Sequence, residues 1–182
     1  MNRRMLFLAT GALALPGAAW PGDLTPPERP DFDLRLQELG ITLPAAPVPV
    51  ANYVPWRRAG KLLYIAGQGP ALGAGIKAQG RLGQDLSIKE GYAAARSAGL
   101  NILAQVRAAL GSLNTVRQCL KLGGFVNSAD GFHDQPKVIN GASDLMVEVF
   151  GAAGRHTRFA VGVNTLPFNV AVEIESVWEV WP

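Results

Sequence analysis

Ser87-Ile-Lys-Glu-Gly-Tyr-Ala-Ala-Ala-Arg-Ser-Ala-Gly-Leu-Asn-Ile-Leu-Ala-Gln-Val-Arg-Ala-Ala-Leu-Gly111 opens on a capping box. The Ser87 hydroxyl can accept from the amide three residues on, while Glu90 reaches back to the cap. Behind it, Ile88, Tyr92, Ala95, Gly99, Ile102, Val106 and Leu110 recur at steps of four and three, one apolar stripe that ends at Gly111. Such a stripe must be buried. The alanines and Gly99 let this backbone approach a sheet closely.

The flanking segments supply that sheet. Tyr53 to Arg58 and Leu62 to Ala66 alternate with period two around a turn at Ala59-Gly60, which predicts a hairpin, and Pro55 predicts that its first strand lies at an edge. A glycine-rich loop from Gly67 to Gly83 follows. Val116 to Asn127 alternates again, with Leu120 and Leu122 on one face against Cys119 and Lys121 on the other. Gln135 to Phe150 returns to helical spacing through Ile139, Ala142 and Met146. Phe159 to Val163 and Val170 to Val180 read as two closing strands joined through Leu166-Pro167. The order is ββαβαββ, an α+β fold with a mixed sheet and both helices on one face. Along the last strand Val170, Val172, Ile174 and Trp178 point one way, and Glu173, Glu175, Val177 and Glu179 the other. A half-apolar second face predicts a homo-oligomer in which uncovered sheets meet.

A chain of 182 residues, 48% hydrophobic and 17% charged, suits one domain with an appendage. Asn2-Arg3-Arg4, the apolar run from Met5 to Leu15, and Gly17-Ala18-Ala19 follow the order of a cleavable secretory signal over residues 1–19. The paired arginines also permit the twin-arginine route. The expected location is the periplasm or the exterior; without cleavage it is the cytoplasm. Residues 20–47 are rich in proline and predict a linker holding one short helix, Asp31 to Leu39, with the folded domain running from 48 to 182.

Removing residues 1–19 takes away Arg3 and Arg4 and no acid, which leaves 15 Lys+Arg of 17 against 14 Asp+Glu. A nearly neutral protein is a poor polyanion binder, so nucleic acid is not the expected partner. One cysteine, Cys119, excludes an intrachain disulfide. With only His133 and His156 beside it, a zinc site is not expected, and no nucleophile-elbow sequence is present. Gly67-x-Gly69 is followed by Pro70 and by no helix, unlike a dinucleotide loop.

Tyr53-Val54, Ile65-Ala-Gly-Gln-Gly-Pro70, Asn140, Arg158 followed by Leu166-Pro167, and Val172-Glu-Ile-Glu175 come in an order that resembles the RidA/YjgF (endoribonuclease L-PSP-like) superfamily across residues 47–182. The resemblance implies a chorismate-mutase-like fold and a homotrimer with clefts at subunit boundaries. It implies hydrolysis of reactive 2-imino or 2-enamino acids to 2-oxo acids and ammonia, without cofactor or metal. By the same resemblance Arg158 holds the substrate carboxylate and Glu173 positions water or moves a proton. Tyr53, Asn140 and the Gly67 backbone line the cleft. The chemistry suits those residue types, because a guanidinium fork meets a carboxylate through two parallel hydrogen bonds and a neighbouring carboxylate can orient water. A hairpin centred on Thr165-Leu166 would set Arg158 opposite Glu173. Taken alone, Arg158 would read as an ion-pair partner and Glu173 as part of a solvated face.

Ala160, Ala66 and Thr165 depart from the deaminase pattern, where cysteine, serine and arginine are frequent, and indicate a divergent subgroup. Two other functions stay open: a non-catalytic protein that binds a 2-oxo acid or similar small carboxylate, and an endoribonuclease.

Overall fold

The computed structural model describes residues 29–73 and 75–182; the expected signal over residues 1–19 lies outside the described residues. A short helix comes first, α1 (Phe32–Glu38), capped by Asp31, whose side chain accepts from the Leu34 amide. It belongs to the packed body. Phe32, Leu36 and Leu43 are buried in the core, and the Phe32 ring stands edge-on to Phe150 at 4.7 Å. The amides of Phe32 and Asp33 both donate to the Asn114 side chain, at 2.7 and 3.1 Å. Residues 32–43, expected as linker, are therefore part of the domain, which begins well before residue 48. Phe32, Leu36 and Leu43 dock the segment, Leu39 and Ile41 pack against the same core, and Leu34 stays exposed.

Two strands, β1 (Trp56–Ala59) and β2 (Leu62–Gln68), form the hairpin, with Gly60 at φ +60° in its turn. The long helix α2 (Ile88–Leu110) carries the capping box in full: Ser87 Oγ accepts from the Glu90 amide, and the Ser87 amide donates to Glu90 Oε2 at 2.8 Å. Then come β3 (Val116–Asn127), α3 (Gln135–Phe150), β4 (Thr157–Val163) and β5 (Val172–Val180).

The sheet order is β1-β2-β5-β3-β4, with β1 at an edge as Pro55 predicts. β5 lies antiparallel between β2 and β3, and β4 lies parallel to β3. A parallel pair needs a crossover, which α3 supplies. Both long helices cover one face. Gly141 abuts the backbone carbonyl of Tyr92, and a side chain at Gly99 would come 3.0 Å from Leu145. Between helices and sheet lie Leu63, Ile102, Leu122, Ile139, Ile174 and Trp178, all fully buried.

Two expectations are corrected. Cys119, not Leu120, shares the core face with Leu122, because the pairing of β3 with β5 shifts between Cys119 and Lys121 and reverses the alternation there. The expected hairpin of Arg158 against Glu173 does not form, because β4 and β5 are separated by β3. Arg158 pairs with Leu122, and Glu173 pairs with Phe125. Leu122 faces the helices, whereas the alternate residues of β3 face the uncovered side, where Gly123 lies against Phe159 and Glu175. Arg158 and Glu173 thus point to opposite faces of the sheet.

Candidate functional site

On the helix side, β4 carries the Arg158 guanidinium to α3. Its Nη1 donates to Asn140 Oδ1 at 2.8 Å and to Ser143 Oγ at 3.0 Å, and Nη2 makes a long contact of 3.4 Å to the Pro136 carbonyl. Every one of these acceptors is neutral. The acids of this helix and its cap are engaged elsewhere: Asp144 accepts from the Tyr92 hydroxyl, Glu148 pairs with Arg96 at 2.7 Å, and Asp134 pairs with Lys137. Arg158 enters no ion pair among the described residues. A guanidinium fixed by dipoles and left with its full charge is chemically suited to receive an anion.

On the open side, Glu173 lies directly over Gly67, and a Cβ at that position would overlap its carboxylate. Only glycine leaves this room. The pairing of β2 with β5 shifts between Ile65 and Gln68, so the strand bulges at this glycine, a device that re-aims backbone beside functional groups. Glu175 pairs with Lys121 and Glu179 with Arg117, whereas Glu173 has no cation among the described residues. Tyr53, half exposed, joins Gly67 and Glu173 on the wall of a cavity of about 700 Å³.

The rest of that cavity is mostly apolar, with Gln68 and Asn101 as its other polar side chains. Pro44, Pro47, Val50, Leu72 and Phe168 line it. Two buried amides on α2 hold its walls: Gln105 Nε2 donates to the Pro47 carbonyl at 2.6 Å, and Asn101 Nδ2 to the Gly69 carbonyl at 2.9 Å. Phe168 is 68% exposed at φ +56°, and Asn169 follows at φ +53°. A left-handed aromatic residue carries strain of about 1–3 kcal/mol, so its surroundings must enforce it. Here Gln79 donates to the Phe168 carbonyl at 2.7 Å, and Asn127 donates to the Asn169 side chain at 3.0 Å.

The five residues expected at the site therefore fall into two groups, Arg158 with Asn140 and Tyr53 with Gly67 and Glu173. Residues that the sequence reading did not single out complete both: Ser143 and His156 beside Arg158, and Asn101, Gln105 and Phe168 around the cavity. Asn101 and Gln105 carried a readable signal, two amides four apart that continue the row of Ala94 and Ala98 on the buried side of α2. Burial pushes the Cys119 thiol up to about 12, which removes it as a nucleophile. Burial also lowers the His156 imidazole below its ordinary value, helped by the positive charge of Arg158 and opposed by its hydrogen bond to the Gly154 carbonyl.

Comparison with known proteins agrees with this architecture. Residues 33–178 match the family model described as "YjgF/chorismate mutase-like, putative endoribonuclease", a span that begins inside α1. Protein TCP17 of Trypanosoma cruzi is 48% identical over 146 residues, which cover 80% of this chain and 91% of that protein. Atu1372 of Agrobacterium tumefaciens, a protein of unknown function, superposes with a TM-score of 0.75 at 47% identity, over 82% of this chain and 92% of that one. A structure from Shewanella oneidensis MR-1 gives a TM-score of 0.79 at 36% identity, over 83% of this chain and all of the other. With a matching family model over most of its length and relatives this near, the chain belongs to the RidA/YjgF superfamily.

Proposed function

We propose that the protein assembles as a homotrimer and hydrolyses reactive 2-imino or 2-enamino acids to 2-oxo acids and ammonia, in clefts that join the Arg158 group of one subunit to the Glu173 group of the next. One observation carries this reading: an arginine with only neutral partners and a glutamate without a cation stand on opposite faces of one sheet, where a single chain cannot bring them together. The half-apolar open face, with Phe125 and Phe159 in edge contact at 5.3 Å and Val161 exposed, offers the surface for association.

In such a cleft the guanidinium takes the substrate carboxylate, and Asn140, whose carbonyl is committed to Arg158, keeps its amide hydrogens for the ligand. Glu173 accepts a proton from water as the water oxygen bonds to C2 of the imine. Glu173 passes that proton to the nitrogen to give a carbinolamine; the carboxylate then takes the hydroxyl proton and delivers it to the nitrogen as the C–N bond breaks, expelling ammonia and leaving the 2-oxo acid. Atoms balance with water alone, so the chemistry calls on no cofactor or metal.

The test is ammonia release from imines generated in situ by an amino-acid oxidase. Wild type should exceed Arg158→Ala by about 100-fold or more, the cost of leaving a carboxylate without its charged partner. Equal rates would defeat the enzyme reading, and retained binding of 2-oxobutanoate would then leave a carboxylate-binding protein. Cleavage of RNA that survives in both Arg158→Ala and Glu173→Ala would not arise at this site. Export is proposed on the N-terminal pattern, and the first residue of the protein recovered from cells decides it: an intact Met1 in the cytoplasmic fraction overturns it.

A further inference from the structure

Beside Arg158 a histidine and a serine stand in series. His156 Nδ1 lies 2.7 Å from the Gly154 carbonyl, and its Nε2 lies 3.0 Å from Ser143 Oγ, the same oxygen that accepts from Arg158 Nη1 at 3.0 Å. For a neutral imidazole, donor and acceptor roles in this row have one consistent solution. A carbonyl can only accept, so the proton sits on Nδ1. A guanidinium can only donate, so Ser143 Oγ accepts from Arg158 and turns its own hydrogen toward Nε2. The lone pair of the neutral imidazole then stands at the end of the row. Protonation would aim two cationic donors, Arg158 and the imidazolium, at one hydroxyl. Burial and the nearby guanidinium oppose that state, consistent with the lowered value at His156, where Arg158 is the charged group that acts on the ring.

With both hydrogens of Nη1 committed to Asn140 and Ser143, the edge formed by Nε and Nη2 is what remains. Its only protein contact among the described residues is the long one to Pro136. That edge is one of the two on which a guanidinium binds a carboxylate through parallel hydrogen bonds. We propose that His156 and Ser143 are positioning residues for Arg158, a relay of hydrogen bonds that rotates the guanidinium so that its Nε–Nη2 edge faces the incoming carboxylate. This rests on the reading of Arg158 as the carboxylate receptor. It adds two residues that do not touch the ligand.

The experiment has one arm with ligand and one without. By calorimetry with 2-oxobutanoate, Ser143→Ala and His156→Leu should each weaken binding about fivefold, the worth of one hydrogen bond of about 1 kcal/mol. The double variant should be no weaker than either single one, because the two act through the same bond to Arg158. Ser143→Thr should restore affinity, and in an Arg158→Ala background Ser143→Ala should change nothing. Additive losses, or a loss that persists without Arg158, would show an ordinary packing role and overturn the proposal.

The second arm is nitrogen NMR of His156 in the ligand-free protein. It should show the proton on Nδ1 and a titration that moves to higher pH in Arg158→Ala. A proton on Nε2, or a titration indifferent to Arg158, breaks the relay whatever the ligand does. Should wild type fail to bind 2-oxobutanoate, the functional reading falls while the NMR arm still decides the relay.

Discussion

The corner around Arg158 and the cavity over Gly67 are built on opposite principles. At the corner, hydrogen bonds of 2.8 and 3.0 Å from neutral groups fix one charge in direction, and three acids close in sequence are drawn off to Tyr92, Arg96 and Lys137. Around the cavity almost nothing is charged; prolines, Leu72 and a strained Phe168 make a wall, and the carboxylate of Glu173 sits in it beside a glycine that gives it room. On the proposed reading one region would grip an anion by orientation, whereas the other would exclude water around an organic group and keep a single base. Each region is then half of a site, and because the sheet separates them a second subunit would be the means of joining the halves.

The largest expected effect tests that division directly. Arg158→Ala and Glu173→Ala proteins, each inactive by itself, should regain activity when unfolded together and refolded in equal amounts. If every cleft takes Arg158 from one chain and Glu173 from its neighbour, random assembly leaves about a quarter of the clefts intact. Ammonia release near that fraction of wild type sustains the split site. No recovery, with mixed oligomers demonstrated by mass spectrometry, means that the two halves never meet.

A smaller effect should follow when the two halves are kept and only the spacing inside one is disturbed. Gly67→Ala places a methyl group where the Glu173 carboxylate lies, and the flexible end of that side chain must move. The expected result is a fall in kcat of about 30-fold, within the roughly 100-fold that displacement of a reacting group by an ångström can cost. KM should stay close to wild type, because Arg158 is untouched. A rise in KM with unchanged kcat would assign Glu173 to binding instead of proton transfer.

Elements with local signals were legible in the sequence. The capping box of α2, the stripe from Ile88 to Leu110 and the alternation of β5 each depend on neighbours within a few residues, and the structure reproduces them. Strand partners were not legible. Nothing local tells β5 to insert between β2 and β3 instead of folding back on β4, and the choice follows from α3 carrying the chain across to a parallel pairing. The shift that turns Cys119 inward is likewise a property of two strands, invisible in one. Arg158, Asn140, Tyr53, Gly67 and Glu173 were named by resemblance; how they divide between faces depended on that same pairing. The walls of the cavity had no period to read. Prolines between residues 44 and 49 look like a spacer until Gln105 is seen to hold one of them.

The smallest expected effect concerns that wall. Phe168 adopts a backbone conformation that favours glycine, and two side-chain amides nearby hold it there, which is a cost that packing within the chain does not explain because the ring is mostly exposed. If the ring meets the substrate's side chain, Phe168→Ser should lower kcat/KM about fivefold for imines derived from leucine or phenylalanine, in proportion to roughly 1 kcal/mol of lost apolar contact. Imines derived from alanine, too short to reach it, should be processed as before. Because the ring is mostly exposed and serine keeps the Cβ that makes this conformation costly, the variant should be about as heat-stable as wild type, provided the loop keeps its two amide bonds. A uniform loss across all substrates, or dissociation of the oligomer on sedimentation, would instead place the ring against a neighbouring subunit, and the apolar half of the site would then end at Leu72.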